Sequence, residues 1–600
     1  MKLRTILLGS FLSIILGAAN AYLGLFAGMT ISASIPAAVL SMGILSLFKN
    51  SSIKENNLVQ TSASAGESLA AGVIFTIPAL ILIGSEPDSI FKGWEKFNYF
   101  KILMYSLIGG IMGIFFTIPL RKALIENAKL SFPEGQATAK VLEVGNNAKK
   151  SNSKEAKANL KLMILASIYS SIFKLIQSGF HMISEVFTSS FLAFKSVFGF
   201  GVSLSPALLS VGFIIGKRIS IMVFSGGAFA WIIILPILTA GTNSVNIDLM
   251  EYAYEVWNKK IRYIGVGTML VGGIWSLISV FKFISIGFKN DSTKSKEAKD
   301  IPSKWVWAGM ILIFVILVPI YNQDIQSLPL SIGLCFLIIL MGFLFSSVAA
   351  YMAGVVGSSN NPISGVTIAT IMFSSLLILF LKGQAENGPL LAILIGSVVC
   401  CAAAIGGDNM QDLKTGHIIN ATPWKQQIMQ IIGVISASLV MGFIVLLLHN
   451  AYGIGDGLKA PQANLMKFVS VGIFSNNLPW DMIIIGAIVA ICIIITNIVF
   501  KIEIHILAVA VGIYLPIELS IPILIGGLIA DRIKTREKGI LIASGIITGE
   551  ALMGIIIAIP IFISGNKSWW PHIKSLEISS LIVFIAFIGW FYYQLKSKKA

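Results

Sequence analysis

Two glutamates stand inside otherwise apolar stretches of this sequence, each directly after a glycine. Glu67 lies near the amino end of the chain and Glu550 near its carboxyl end. An ionisable side chain at membrane depth costs about 3 kcal/mol on insertion scales, so it normally faces a polar cavity or a partner. Loss of hydration disfavours the charged form of a carboxyl group, which suits such a group to proton exchange. The sequence therefore marks Glu67 and Glu550 as candidates for proton coupling or for contact with a substrate amine.

Small polar residues crowd around Glu67 within residues 56–80, a stretch long enough to enter a bilayer and free of basic residues. Among them, Gln60 and Ser64 are predicted to help line a substrate path. Pro78 removes a backbone donor, so the helix is expected to kink or end near it. The alternative is a packing helix whose Glu67 reaches an aqueous edge. On the coupling interpretation, Glu67→Gln abolishes proton-driven accumulation and leaves folding intact.

A second polar stretch interrupts two apolar runs in the other half of the chain. It contains Ser358, Ser359, Asn360 and Asn361, followed by Pro362. Unwound backbone at membrane depth exposes N–H and C=O groups that can hold a substrate, and two Asn side chains present donors and acceptors that suit a peptide. We predict that these four polar residues line the substrate path. A capped turn between two helices, with the proline in the first helical turn, is the alternative.

A third polar concentration covers residues 406–416. Asp408, Asn409, Asp412 and Lys414 lie there, after a run of alanines. We interpret this stretch as a re-entrant or cytoplasmic gate element whose charged side chains make polar contacts. Glu134, flanked by proline and glycine, joins this group, although a carboxylate at a helix start is also favoured by the helix dipole alone.

The sequence gives little support to metal or enzyme chemistry. The five histidines are scattered without HExxH or other close ligand spacing, and the four cysteines lie inside apolar runs. There is no GxxxxGK[ST] loop and no recognisable nucleophile signature. We therefore predict no metal site, no cofactor and no enzymatic activity, and an intramembrane enzyme is a remote alternative.

Composition defines the elements that must position these residues. Of 600 residues, 56% are hydrophobic and only 12% charged, and mean hydropathy is +0.86. Apolar runs long enough to cross the hydrocarbon core recur from end to end. The fold class predicted is an all-α polytopic membrane protein with roughly 14–18 membrane-crossing or half-crossing helices.

The net charge of +16 comes from Lys and Arg in short loops and at the termini, which indicates orientation in a membrane and not nucleic-acid binding. Lysine-rich segments at 146–161 and 289–304 are interpreted as solvated cytoplasmic loops. With Lys2 and Arg4 before the first apolar run, we predict an inner (plasma) membrane protein with both termini cytoplasmic. The domains predicted are a membrane half at 1–288, a linker at 289–304 and a second membrane half at 305–600.

Internal similarities favour duplication. GESLAAGVIFTIP at 66–78 resembles GEALMGIIIAIP at 549–560, and the breaks at 28–36 and 357–365 form a weaker pair. Repeats of this kind are typical of secondary transporters. Residues 181–201 are too polar and glycine-rich for an ordinary span, and are predicted to be interfacial or re-entrant.

Several longer motifs follow one order along nearly the whole chain: YLGLFAGMTISASIPAAVLSMGIL (22–45), NNLVQTSASAGESLAAGVIFTIPAL (56–80), FPEGQATAKVLEVG (132–145), YIGVGTMLVGGIW (263–275), GSSNNPISGVTIAT (357–370), GGDNMQDLKTGHIINATPWKQQ (406–427), AVAVGIYLP (508–516) and GEALMG (549–554). With these motifs the sequence resembles the oligopeptide transporter family, in particular its prokaryotic branch, which is related to yellow-stripe-like transporters. The resemblance implies a secondary carrier, coupled to protons, for small oligopeptides and peptide-like compounds. In the yellow-stripe branch the implied substrates are metal–chelator complexes.

Taken together, the sequence predicts an importer of small oligopeptides that works by alternating access. Uptake of a siderophore-like metal chelate is the first alternative, and a passive channel is a remote one. The partners expected are the small-molecule substrate, protons and the lipid bilayer, with no nucleic acid. The oligomeric state stays open, a homodimer included.

Overall fold

The computed structural model describes the chain except for residues 29, 31, 49, 86–89, 129, 131, 151–153, 242–247, 288–298, 359–360, 362, 456, 477–478, 534–535, 565, 567–568, 572–576 and 597–600. The described part is almost entirely helical. Its helices are α1 Leu3–Ala27, α2 Ser34–Leu45, α3 Ile53–Gly84, α4 Tyr99–Arg121, α5 Pro133–Lys150, α6 Lys154–Lys174, α7 Pro206–Ile215, α8 Lys217–Ala228, α9 Leu235–Leu238, α10 Leu249–Val256, α11 Arg262–Gly287, α12 Ser303–Ile325, α13 Leu328–Val356, α14 Ile363–Lys382, α15 Gly388–Ile418, α16 Pro423–Tyr452, α17 Pro461–Ser475, α18 Trp480–Phe500, α19 Ile506–Tyr514, α20 Ile517–Arg532, α21 Arg536–Ser564 and α22 Glu577–Lys596. Short π-helical segments are Lys122–Asn127, Leu175–Gly179, Phe229–Ile234 and Trp257–Ile261.

Membrane-length helices dominate this architecture. In the described part of the chain, 12 helices are long and apolar enough to cross a bilayer, and α2 and α7 are shorter apolar helices. The predicted fold class, an all-α polytopic membrane protein, is confirmed.

One local prediction was wrong and another stays a prediction. Most of residues 181–201 belong to an antiparallel hairpin of β1 Val186–Ala193 and β2 Ser196–Ser203, and their interfacial or re-entrant position stays a prediction. The lysine-rich segment at 146–161 is not a loop, because its described residues belong to α5 and α6. Lysine is a good helix former, so a charged composition alone does not exclude a helix.

The chain folds into two compact units, each built from two separate segments. Unit 1 comprises Met1–Leu160 and Ser276–Asn477, and unit 2 comprises Lys161–Trp275 and Leu478–Ala600. The predicted halves at 1–288 and 305–600 do not coincide with these units, and residues 289–298 of the predicted linker at 289–304 lie outside the described residues. A lysine-rich composition does not show which helices pack together.

Unit 1 is organised around α3 and α15, whose membrane-length windows are fully buried. The side chain of Ser52 caps α3 by accepting the N–H of Glu55 at 3.2 Å, and Pro78 is accommodated inside the helix. The two helices approach closely where Gly72 of α3 faces Cys401 of α15, since a Cβ on Gly72 would lie 2.5 Å from the Cα of Cys401. Small residues permit this kind of helix contact in membranes.

In unit 2, glycines also allow close contact between helices, in two helix pairs. Gly212 and Gly526 bring α7 and α20 together, and Gly226 and Gly512 bring α8 and α19 together. A Cβ on any of these four glycines would collide with a backbone carbonyl oxygen of the facing helix. The pairs therefore pack backbone against backbone, which fixes the position of the short helix α7.

Candidate functional site

A row of polar side chains joins α3 and α15 in the middle of unit 1. The amide of Gln60 donates to the Asp412 carboxylate, and the hydroxyl of Ser68 donates to Oδ2 of Asp408 at 2.5 Å. Asp408 and Asp412 are four residues apart on α15, so they share one helical face. Because the numbering rises along α3 as it falls along α15, the two helices run antiparallel at this row.

The start of α2 enters the same row. Oγ of Ser34 donates to Oδ1 of Asp412 at 3.0 Å and lies 3.1 Å from Oγ of Ser64. The N–H of Ala33, just before α2, donates to Oε2 of Glu67 at 3.2 Å. The break between α1 and α2 thus places backbone and hydroxyl donors beside two carboxylates.

Asn20 of α1 holds Glu67 from the other side. Its amide Nδ2 donates to Oε1 of Glu67 and also to the Glu67 backbone carbonyl, at 3.2 Å. The hydrogen bond to the Glu67 carbonyl shows which way the Asn20 amide is turned, because a carbonyl oxygen can only accept and so must face the NH₂ group. Both carboxylate oxygens of Glu67 are therefore occupied by N–H groups.

Glu134, at the start of α5, adds a fourth acidic side chain. The hydroxyl of Ser358 donates to its carboxylate, and Ser358 also hydrogen-bonds to Asp408. A Cβ on Gly357, which has a φ of +93°, would lie 3.0 Å from Oε1 of Glu134. The predicted break at 357–361 therefore reaches the acidic residues of α5 and α15.

We call Glu67, Glu134, Asp408 and Asp412 the carboxylate cluster. Glu67, Asp408 and Asp412 are 2%, 8% and 0% exposed. The charged groups that act on Glu67 are the other three members of the cluster. In a low-dielectric interior, neighbouring carboxylates cannot all stay charged without a compensating proton or cation.

Three predicted residues lie at the edge of this cluster. Asn361 donates from Nδ2 to the Ala349 carbonyl at 3.3 Å and packs against Gly407. Lys414 donates from Nζ to the Leu130 carbonyl at 3.0 Å. Asn409 is fully buried, and neither atom of its amide has a hydrogen-bond partner within the described structure. The predicted gate role of these residues stays a prediction, and Ser359 and Asn360 lie outside the described residues.

Glu550 belongs to unit 2, where it occupies a comparable environment. Its Oε1 accepts the hydroxyl of Ser205 at 2.9 Å and its Oε2 accepts the N–H of Ala207 at 2.7 Å, at the start of α7. Lys174 is the basic group whose charge acts on it. Glu550 is therefore a second carboxylate bound to the start of a short helix.

Two residues of the site were missed by sequence reasoning. Asn20 is a single amide in the first apolar run, and Ser34 lies in the small-residue break before α2. The presence of a polar side chain inside an apolar run could have marked Asn20 as a candidate. Nothing local in the sequence indicates that either one contacts a carboxylate on another helix.

No group of three or more His, Cys, Asp or Glu side chains in the described part of the chain is arranged to hold a metal ion. The cluster instead offers carboxylate, hydroxyl and backbone N–H groups. Such a set can exchange protons and can bind an ammonium group by charge and hydrogen bonds.

The family and the proteins to which this chain is similar are named as transporters. The family model described as "OPT oligopeptide transporter protein" matches residues 1–561. A putative oligopeptide transporter of Haemophilus influenzae is 32% identical over 598 residues, covering 90% of this chain and 92% of the relative. The metal-nicotianamine transporter YSL3 of Arabidopsis thaliana is 23% identical, with coverages of 78% and 74%. The putative oligopeptide transporter YGL114W of Saccharomyces cerevisiae is 22% identical, with coverages of 93% and 95%.

Proposed function

The chain belongs to the oligopeptide transporter family, and on this basis we propose that it imports small oligopeptides or peptide-like compounds as a proton-coupled secondary carrier. In this proposal it resides in the inner (plasma) membrane with both termini cytoplasmic and works by alternating access. The basic residues Lys2 and Arg4 before α1 support the orientation.

The observation that carries the proposal is the carboxylate cluster of unit 1. Three of its members, Glu67, Asp408 and Asp412, are buried and Glu134 is half-buried. The four come from α3, α5 and α15 and meet two breaks in helical structure, before α2 and after α13. Irregular backbone at membrane depth is tolerated where it is buried in protein or lines a cavity, and in transporters such breaks form substrate and ion sites. Buried carboxyl groups inside membrane helices commonly serve proton transfer.

The same cluster suits the chemistry of a peptide. A peptide carries an ammonium group that carboxylates can bind, and amides that side chains such as Ser358, Asn361, Gln60 and Ser64 can pair with. The role in coupling or amine binding that the sequence predicts for Glu67 and Glu550 stays a prediction. The relatives named as oligopeptide transporters favour the same substrate class.

Uptake of a metal chelate is the second candidate. It is supported by relatives named as metal-nicotianamine transporters, of which YSL3 is 23% identical to this chain. A chelate of this type also presents carboxylate and amine groups, so the cluster alone does not decide between the two substrates.

The test is uptake by the purified full chain in liposomes, with and without an inward proton gradient. Labelled tri- to pentapeptides and an iron chelate are offered in parallel, and liposomes treated with a protonophore serve as the control. We expect gradient-dependent accumulation of peptide. Accumulation of the chelate alone would assign the protein to the second candidate, and equilibration that ignores the gradient would show a passive pathway and refute proton coupling.

A further inference from the structure

We propose that the transported proton is bound by the pair Asp408 and Asp412, and that Glu67 is a fixed cap of the short helix α2. The inference rests on the proposed function, because it assumes that transport is coupled to protons. It differs from the role predicted for Glu67 from the sequence.

The hydrogen bonds of Glu67 leave little room for an added proton. Ala33 offers a backbone N–H and Asn20 an amide NH₂, and these groups can only donate to the carboxylate. The Asn20 amide cannot turn its oxygen towards Glu67 without losing its bond to the Glu67 carbonyl. A proton added to a carboxylate oxygen of Glu67 would therefore point at the hydrogen of an N–H group. It would also remove the negative charge that strengthens these hydrogen bonds.

Unit 2 repeats this arrangement without an acidic cluster. Glu550 receives the Ala207 N–H and the hydroxyl hydrogen of Ser205, whose oxygen itself accepts the Leu208 N–H at 3.2 Å. The feature that Glu67 and Glu550 share is thus a bond to the start of a short helix, where the helix dipole also favours a negative charge. A common structural role explains why both stand in a Gly-Glu pair.

The Asp pair has partners of a different kind. The hydroxyl of Ser68 lies 2.5 Å from Asp408 and 2.9 Å from the Ser64 carbonyl, so its hydrogen can turn to the carbonyl when Asp408 carries a proton. The hydroxyl of Ser34 can turn in the same way from Asp412 towards Oγ of Ser64. A serine can both donate and accept, so Asp408 can gain a proton at Oδ2 without losing its hydrogen bond to Ser68. In Asp412, Oδ1 also receives the Gln60 amide, which can only donate, so the site for an added proton is Oδ2.

Asp412 has one further property that suits a proton site. Its Oδ2 is buried and has no hydrogen-bond partner among the described residues, whereas Oδ1 is held by Ser34 and Gln60. A buried polar atom without a partner normally binds water or marks a functional group. A proton or a proton-bearing water at Oδ2 displaces no existing donor.

The surroundings of the pair supply few other charges. The titratable groups that face it are Glu67 from α3 and Glu134 from α5. Lys414, on α15 itself, is bonded to the Leu130 carbonyl. At this level α2 and α16 contribute hydroxyl and amide groups, and α13 contributes the Ala353 carbonyl, which accepts Nε2 of Gln411 at 2.7 Å. The helices α4, α14 and α17 meet α15 elsewhere, through Gly109, Thr367 and Phe474.

The test compares two fluxes in the same liposome preparation: accumulation driven by a proton gradient, and counterflow exchange without a gradient. Since misfolded protein lowers both, their ratio reports coupling. We expect Asp408→Asn and Asp412→Asn each to lower the ratio by about tenfold or more, the range of typical coupling between sites. Asp412→Glu, which keeps a carboxyl group, should retain gradient-driven accumulation with a shifted pH profile.

Two further variants separate the roles. Glu67→Gln should lower the unfolding temperature and reduce both fluxes by the same factor, because it disturbs a cap. Asp324→Asn removes a carboxylate that is paired with Lys101 at 2.9 Å outside the cluster, and should leave the ratio unchanged.

The inference is overturned if both Asp→Asn variants keep the native ratio, or if only Glu67→Gln lowers it. If one Asp→Asn variant cannot be recovered as folded protein, the other decides by the same criterion. A native protein that shows no gradient-driven accumulation of any substrate would instead refute the proposed function, which is a distinguishable result.

Discussion

The close approach of α3 and α15 yields a prediction whose size can be worked out. Gly72→Ala adds a Cβ at 2.5 Å from the Cα and 2.7 Å from the backbone N of Cys401, where ordinary contact begins at 3.4 Å. Backbone atoms cannot rotate away as the end of a side chain can. The helices must therefore separate by about 0.9 Å, and we expect a loss of about 1–3 kcal/mol in the free energy of unfolding, as for other overpacked contacts.

The same shift should reach the carboxylate cluster, because Ser68 lies one helical turn from Gly72. If the helices separate as rigid bodies, the 2.5 Å contact between Ser68 and Asp408 lengthens beyond the usual hydrogen-bond range. Gly72→Ala should thus lower both stability and gradient-driven accumulation.

The matched control is Gly333→Ala on α13, where an added Cβ meets no atom within 4 Å. In a helix, alanine is favoured over glycine by about 1 kcal/mol, so this variant should be as stable as the native protein or slightly more so. Stability is measured by denaturant unfolding in detergent micelles and transport by liposome uptake. If Gly72→Ala matched Gly333→Ala in both assays, the contact at Cys401 would not control the position of the cluster.

Two other predictions concern groups outside the cluster. Arg121 is 1% exposed and binds Asp300 at 2.6 and 2.7 Å and Glu126 at 2.8 Å. Arg121→Leu leaves these carboxylates without their arginine and should lower the free energy of unfolding by about 3–5 kcal/mol, whereas Lys259→Leu, which removes an exposed ion pair, should lower it by less than about 1 kcal/mol. Equal losses in unfolding assays would contradict the argument. Burial, and after it the charge of a nearby arginine, lowers the pKa of His505 below its ordinary value of 6.5. As pH falls, the His505 side chain therefore binds a proton in the unfolded chain before it does so in the folded chain. The contribution of His505 to the free energy of unfolding is complete above pH 6.5 and is lost as pH drops below it. His505→Gln should remove that part of the pH dependence of the unfolding temperature, and an unchanged pH profile would refute the assignment.

Some of the site could be predicted from sequence because its signals are local. Glu67 stands out as a carboxylate in an apolar run, and the spacing of Asp408 and Asp412 places both on one face of any helix. Their partners could not be predicted in the same way. Ser34 is 378 positions from Asp412, so only the folded chain reveals that contact.

The hairpin of unit 2 was missed for a different reason. Its turn is formed by Phe194 and Lys195, with φ values of 52° and 57°. Left-handed turns of this type usually carry Asn or Gly, and those residues are the signal that sequence reasoning relies on. The composition of the units was missed because each joins two distant segments, which a search for linkers in one sequence does not detect.

Comparison of the two units explains why coupling is assigned to one of them. Each unit has a long helix whose Gly-Glu pair binds the start of a short apolar helix, α2 in unit 1 and α7 in unit 2. The charged groups that act on Glu67 are carboxylates, whereas those that act on Glu550 are Lys174 and Glu185, which form an ion pair at 3.4 Å. Lys174 thus offsets part of the negative charge around Glu550, whereas the cluster of unit 1 needs protons or a bound cation. We infer that a bond to the start of a short helix is the role that Glu67 and Glu550 share, and that the acidic residues on α5 and α15 give unit 1 its proton site.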